Sequence, residues 1–151
     1  MSLVSEQEKQ AVLDSIPQQH PFRFIERIVE LSDDHIIAEY RLKNDEFFYK
    51  GHFPSHPVTP GVILTEIMAQ TGLVALGIYL LRKDNKEAKL TTLFTDCQCE
   101  YLKVVEPNEL LTIKAKKEFW RRNKLKSKVE VFKENGEVVA TGIISGMGVI
   151  L

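Results

Sequence analysis

Six runs of this chain carry alternating apolar and polar residues or β-branched residues, and such patterns predict β-strands. Turn-forming residues separate neighbouring runs, with Ser32-Asp33-Asp34 after the first run and Asn135-Gly136 before the last. The pattern predicts strands at Phe22–Leu31, His35–Leu42, Leu90–Tyr101, Leu110–Trp120, Lys124–Lys133 and Val138–Leu151.

Two segments have the pattern of a helix. Ser5 followed by Glu8 forms a capping box, which predicts a short opening helix that ends before Pro17. The second segment, from Gly61 to Leu81, carries a single charged residue; Thr59 is its predicted N-cap, and Pro60 suits the first turn.

The run from Gly61 to Leu81 is long enough to span a bilayer. Four polar side chains in its first half oppose that interpretation, because an ionised carboxylate is costly in lipid. They are Thr65, Glu66, Gln70 and Thr71. A helix that is apolar on all sides is also typical of a protein interior. We therefore predict a single α+β domain, residues 1–151, with a curled antiparallel sheet wrapped around one long central helix.

Composition narrows the classes of function and location. The formal net charge of −1 opposes general attraction to nucleic acid or to an anionic membrane. Cys97 and Cys99 are the two cysteines, and their spacing indicates no disulfide framework. The first residues show no basic and apolar signal pattern. These features predict a cytoplasmic protein.

The segment from Asn44 to Gly61 lacks a regular period and leads into the helix that carries Glu66. Eliminating water from a 3-hydroxyacyl thioester needs a base, an acid and hydrogen-bond donors for the thioester oxygen. His52 can be the base, since histidine titrates near neutral pH. Burial should raise the pKa of Glu66 and keep a share of it protonated as the acid. Free N–H groups at the helix start, with Gly61 allowing close approach, can be the donors.

Structural roles are the alternative for both side chains. A histidine in an aromatic loop is often only a hydrogen-bonded structural residue, and a helical glutamate usually faces solvent. Glu66, however, has apolar neighbours on both sides, so a functional role accounts better for it. We expect no metal site, because prolines around His52 and His56 disfavour the helix that would align them.

One stretch resembles the signature of the FabZ-type 3-hydroxyacyl-acyl-carrier-protein dehydratases. It reads GHFPSHPVTPGV from Gly51 to Val62, followed by EIMAQ from Glu66 to Gln70. The resemblance implies a hot-dog fold, no cofactor, and a substrate carried on the phosphopantetheine of acyl carrier protein. It implies a homodimer, in many members a trimer of dimers, whose sites combine His52 of one subunit with Glu66 of the other. It also implies substrate contacts by Gly61, Val58, Phe53 and Gln70, with the acyl chain in a tunnel beside the helix.

Departures from the family pattern leave the pathway open. The family commonly has glycine and methionine at the positions of Ser55 and Thr59, and a Phe-Arg or Phe-Lys pair near Tyr101. Glu66 rather than aspartate resembles the branch that only dehydrates. Primary fatty acid synthesis and a specialised polyene or polyketide route are both compatible with these residues.

Basic residues occupy alternate positions of the predicted strand that begins near Lys124. Arg122, Lys124, Lys126 and Lys128 would share one strand face. That face is either a solvated outer surface or a docking surface for acidic acyl carrier protein.

Three other functions compete with dehydration. Glu66 could activate water in a thioesterase of the same fold. The chain could be a non-catalytic acyl-binding or scaffold subunit. The run from Gly61 to Leu81 could also insert into a membrane.

Overall fold

The computed structural model describes residues 3–84 and 90–150 of the chain. Within these described residues, two helices and six strands make up the fold. In chain order they are α1 (Glu6–Asp14), β1 (Arg27–Leu31), β2 (His35–Arg41), α2 (Gly61–Lys83), β3 (Thr91–Tyr101), β4 (Leu110–Arg121), β5 (Lys124–Phe132) and β6 (Val138–Val149). The predicted turns at Ser32–Asp34 and Asn135–Gly136 connect β1 to β2 and β5 to β6, and Gly136 has a φ of 90°.

The strands form one antiparallel sheet in the order β1-β2-β4-β5-β6-β3, and α2 packs against its inner face. Ile67, Met68 and Leu76 of the helix are fully buried, as are Ile113 and Val129 of the sheet. The predicted fold class, a curled sheet around one central helix, is confirmed. The helix meets the length and hydropathy of a membrane span, but 72% of its apolar window is buried inside the protein, as expected of a core helix.

Close contact between α2 and the sheet depends on Gly72. A Cβ atom at this position would lie 2.9 Å from Val129 Cγ2 and 3.2 Å from Ala115 Cβ. The surrounding turn, Gln70–Ala75, is π-helical, and the buried Ser127 hydroxyl donates a hydrogen bond of 2.7 Å to the Gly72 carbonyl. The sheet therefore supplies a donor to a helix carbonyl at its closest approach.

The first strand is shorter than predicted, because residues 22–26 are not part of the sheet. The Phe24 N–H donates to Gln70 Oε1 at 2.7 Å, and the Phe22 carbonyl accepts from Gln70 Nε2 at 2.9 Å. A helix side chain thus takes the place of a neighbouring strand for this segment.

The predicted N-cap of α2 is also wrong. The N-cap residue is Pro60, without a side-chain cap, because the Thr59 hydroxyl bonds instead to the Tyr49 hydroxyl at 2.7 Å. Arg122 lies in the turn between β4 and β5 with a φ of 54°, so only Lys124, Lys126 and Lys128 share the predicted strand face. Most of the polar loop predicted after Lys83 lies outside the described residues, as does Leu151.

Strand β3 is at one edge of the sheet and pairs with β6 on one side only, within the described part of the chain. Most of its residues are exposed, including Leu93 and Phe94, which are 46% and 43% exposed. An 11-residue edge with apolar side chains is a surface that commonly pairs with another strand.

Gly72→Ala and Gly77→Ala should change stability in opposite directions. At Gly72 the added methyl overlaps Val129 and Ala115, so we expect the free energy of unfolding to fall by about 1–3 kcal/mol. At Gly77 the nearest contact would be Leu125 Cδ2 at an ordinary 3.7 Å, and a gain of about 0.5–1 kcal/mol is expected from the better helix propensity of alanine. Urea unfolding at one fixed protein concentration measures both; equal effects would contradict the close approach at Gly72.

Candidate active site

Glu66 projects from the second turn of α2 and is partly buried. Burial raises the pKa of this carboxyl group, and the hydrogen bond from Gln70 lowers it by a smaller amount. A carboxyl group in this environment holds its proton to higher pH than an exposed glutamate. A raised pKa is what a general acid needs, and the catalytic role of Glu66 stays a prediction.

Gln70 orients the Glu66 carboxyl group, and backbone groups in turn fix the orientation of the Gln70 side-chain amide. The Phe24 backbone N–H can only donate, so the atom of Gln70 that faces it must be Oε1. Nε2 then donates both to the Phe22 carbonyl and, at 2.9 Å, to Glu66 Oε2. Because Oε2 accepts this bond, Oε1 is the oxygen left to carry an acidic proton.

A pocket of about 280 Å³ opens beside Glu66. Glu66, Ala69 and Leu73 recur at helical spacing and line one side of it, while β3 lines the other. Apart from Glu66, the lining is mostly apolar and consists of Gln18, Phe22, Ala69, Leu73, Val74, Thr92, Leu93 and Phe94. The pocket can therefore hold an apolar chain next to a carboxylic acid.

The loop before α2 holds the His52 ring in one tautomer. His52 Nδ1 lies 2.9 Å from the Val58 carbonyl, which can only accept, so Nδ1 carries the hydrogen. Nε2 then has a free lone pair and can act as a base. The ring stacks on Phe53 with centroids 4.2 Å apart, and the Val58 N–H donates to the His52 carbonyl at 2.9 Å.

The start of α2 provides free backbone donors. The first N–H groups with intrahelical partners are those of Ile63 and Leu64, which both donate to the Pro60 carbonyl. The N–H groups of Gly61 and Val62 have no acceptor among residues 3–84 and 90–150. Val62 is 75% exposed, so this turn is accessible to a ligand. Two such donors beside a helix N-terminus can stabilise negative charge on an oxygen.

The predicted site residues form two groups in a single chain. Val58 and Phe53 contact His52, whereas Gln70 contacts Glu66. His52 is not among the described residues that line the pocket beside Glu66. Direct substrate contacts by these residues stay predictions. The role of the Phe24 amide was not predicted, because no pattern in the sequence links Phe24 to a glutamine 46 positions away.

Comparison with known families and curated relatives gives consistent matches. The model of the FabA-like domain matches residues 16–142. The 3-hydroxyacyl-[acyl-carrier-protein] dehydratase FabZ of Streptococcus agalactiae serotype V is 31% identical over 135 residues, covering 89% of this chain and 92% of the relative. The protein of the same name from Streptococcus pyogenes serotype M3 is 33% identical over 132 residues, covering 87% of this chain and 91% of the relative.

Solved structures share the fold at low sequence identity. The dehydratase heterocomplex ApeI:P from Xenorhabdus doucetiae matches with a TM-score of 0.74 and 19% identity, covering 92% of this chain and 91% of the other. Zebra fish thioesterase superfamily member 2 matches with a TM-score of 0.68 and 14% identity, covering 97% and 99%. The same fold thus occurs in proteins described as dehydratases and as thioesterases.

Glu66→Gln should stabilise the folded protein increasingly as pH rises. Because the folded-state pKa of Glu66 is raised, the folded protein binds the Glu66 proton more tightly than the unfolded chain does. The stabilisation that this proton provides is complete below the unfolded-state pKa and is lost as pH rises through the folded-state pKa. We expect the Tm of Glu66→Gln relative to the unsubstituted protein to be higher at pH 8 than at pH 5.

Glu137→Gln is a control of opposite sign. Hydrogen bonds from Asn135 and Lys103 lower the pKa of Glu137, so its contribution is present above the unfolded-state pKa and is lost in acid. Glutamine at this exposed position should therefore cost stability at both pH 5 and pH 8, and this cost should disappear only as pH falls through the lowered pKa of Glu137. A relative Tm of Glu66→Gln that does not change between pH 5 and pH 8 would contradict the raised pKa of Glu66.

Proposed function

Since the chain belongs to the family of FabA-like domains, we propose that it is a (3R)-3-hydroxyacyl-[acyl-carrier-protein] dehydratase. Such an enzyme is a hydro-lyase that converts the 3-hydroxyacyl thioester into the trans-2-enoyl thioester and water. The observation that carries the proposal is the Glu66 carboxyl group, whose pKa burial raises, at the side of an apolar pocket. Curated relatives covering about nine-tenths of the chain carry the name of this activity.

The reaction assigns one task to each group. His52 Nε2 takes a proton from C2 of the acyl chain, and the C2 electrons form the double bond to C3. The C3–O bond breaks as Glu66 delivers its proton to the departing hydroxyl, which leaves as water. The N–H groups at Gly61 and Val62 donate to the thioester oxygen while negative charge develops on it.

A second copy of the chain completes the site in this proposal. Leu93 and Phe94 line the pocket and are nearly half exposed, on the edge strand whose outer side is unpaired in the described chain. Pairing of β3 with β3 of a second copy would cover these side chains and provide hydrogen-bond partners for the backbone N–H and C=O groups at the edge. His52 of one subunit would then face Glu66 of the other, in a homodimer that assembles further into a trimer of dimers in many family members.

Acyl carrier protein is the proposed macromolecular partner. Lys124, Lys126 and Lys128 alternate with the buried side chains of β5, so they project from the outer face of the sheet. Lys116 of β4 lies directly opposite Lys128 and adds a like charge, an arrangement that is unfavourable without an anionic partner. An acidic carrier supplies that partner and would associate faster at low salt.

The chemistry proposed here needs no cofactor, because an imidazole, a carboxylic acid and backbone N–H groups supply every proton transfer and donor. The phosphopantetheine arm belongs to the substrate. The proposed location is the cytoplasm, as the sequence predicts.

Incubation with a 3-hydroxyacyl carrier should produce absorbance of the enoyl thioester. Release of free thiol instead would show a thioesterase, and inactivity on a panel of chain lengths would favour a non-catalytic subunit.

His52→Ala and Glu66→Gln should each lower kcat by about 10²–10⁴-fold, since each removes one proton-transfer group.

Mixing the two inactive variants tests whether sites are shared. After subunit exchange, about half of the dimers are mixed and one of their two sites is intact, so up to roughly a quarter of the activity should return. No recovery after proven exchange would contradict a site shared between subunits.

Raising the salt concentration should lower kcat/KM for a carrier-bound substrate and leave a short thioester mimic unaffected. The reason is that screening weakens attraction between the lysine face and an acidic carrier. Lys126→Glu should reduce the same kcat/KM at low salt. Equal salt dependence for both substrates would contradict a docking role for the lysine face.

A further inference from the structure

Two hydroxyl groups meet beside the start of α2. The Tyr101 hydroxyl, at the end of β3, is hydrogen-bonded to Thr65 Oγ1. The Tyr101 ring also packs against the helix start, since a Cβ atom at Gly61 would lie 3.4 Å from two of its ring carbons. Tyr101 is 49% exposed, so its hydroxyl could have been solvated but bonds to the helix instead.

The Gly61 carbonyl oxygen determines which hydroxyl group donates in each of these hydrogen bonds. Thr65 Oγ1 lies 3.3 Å from the Gly61 carbonyl oxygen, which can only accept. The Thr65 O–H therefore donates to Gly61, and the Tyr101 O–H donates to Thr65 Oγ1. The result is a directed relay from Tyr101 through Thr65 to the peptide group that joins Gly61 to Val62.

That peptide group carries one of the two free donors of the site. The Gly61 carbonyl and the Val62 N–H belong to the same planar unit, so a bond to the carbonyl orients the N–H. Successive hydrogen bonds also polarise one another, which makes the terminal N–H a stronger donor. Thr65 immediately precedes Glu66, so the relay lies within one helical turn of the proposed acid.

We propose that Tyr101 and Thr65 form a positioning relay that orients and polarises the Gly61–Val62 peptide group as a donor to the thioester carbonyl. The inference rests on the proposed function and extends it. The two residues act through the backbone, and neither transfers a proton in the reaction.

The test uses a saturated acyl-pantetheine thioester with a ¹³C-labelled carbonyl, which binds but has no hydroxyl to eliminate. Isotope-edited infrared difference spectroscopy measures its carbonyl frequency on the full-length protein. In the unsubstituted protein, hydrogen bonding should lower the frequency relative to water. Tyr101→Phe and Thr65→Val should each reverse part of this shift.

The same variants should lower kcat for the 3-hydroxyacyl thioester about tenfold and leave KM within about threefold, because the donor matters most in the transition state. Since the two residues act in series, the double variant should be no worse than either single variant. Thr65→Ser keeps the hydroxyl and should restore the shift that Thr65→Val loses.

Tyr79→Phe is the matched control, because it removes a tyrosine hydroxyl near the opposite end of α2, beside Asp33 and away from the helix start. It should leave the carbonyl frequency and kcat unchanged. An unshifted carbonyl frequency in folded Tyr101→Phe and Thr65→Val would overturn the relay. If the unsubstituted protein binds the probe but dehydrates no 3-hydroxyacyl thioester, the proposed function is refuted. The carbonyl frequency of the bound probe in the variants would still test the relay separately.

Discussion

The Gln70 side-chain amide connects the three parts of the molecule on which the site depends. Its oxygen accepts from the Phe24 backbone, and its nitrogen donates to the Phe22 carbonyl and to Glu66. These bonds attach the segment before β1 to the central helix without a strand partner. They also hold the one charged side chain in the first turns of that helix in a defined orientation. Gln70 is fully buried, so water does not compete for these bonds.

Burial of α2 explains why a carboxylic acid is available at this position. The helix is enclosed by the sheet through the close approach at Gly72, and the same enclosure desolvates Glu66 and raises its pKa. The apolar side chains that make the enclosure also line the pocket beside the carboxyl group. Stability and chemistry therefore have a common origin in the packing of one helix. When pH exceeds the pKa of Glu66, the ionised carboxylate in this apolar environment lowers the stability of the folded protein.

Strand β3 combines several roles that a strand inside the sheet could not have. Its first half lines the pocket, and its last residue, Tyr101, contacts the helix start. Its open edge leaves room for a second copy, which the proposed site requires to bring His52 to Glu66. In this proposal the dimer both protects an exposed edge and completes the catalytic pair.

Much of the fold follows from the sequence, because hydrophobic periodicity is a local property that survives folding. The alternating runs predicted the strands from β2 onward to within one or two residues, and the apolar run predicted the buried helix and marked Glu66 as unusual. The resemblance around His52 predicted the family. Tertiary contacts decided the rest: residues 22–26 alternate like a strand but bond to Gln70, and Thr59 could cap α2 but bonds to Tyr49. The tautomer of His52, the accepting oxygen of Glu66 and the link from Tyr101 to Gly61 all depend on hydrogen-bond partners that only the folded chain brings together. A local pattern carries burial and periodicity, whereas a hydrogen bond needs two particular atoms in contact, and distant residues meet only after folding.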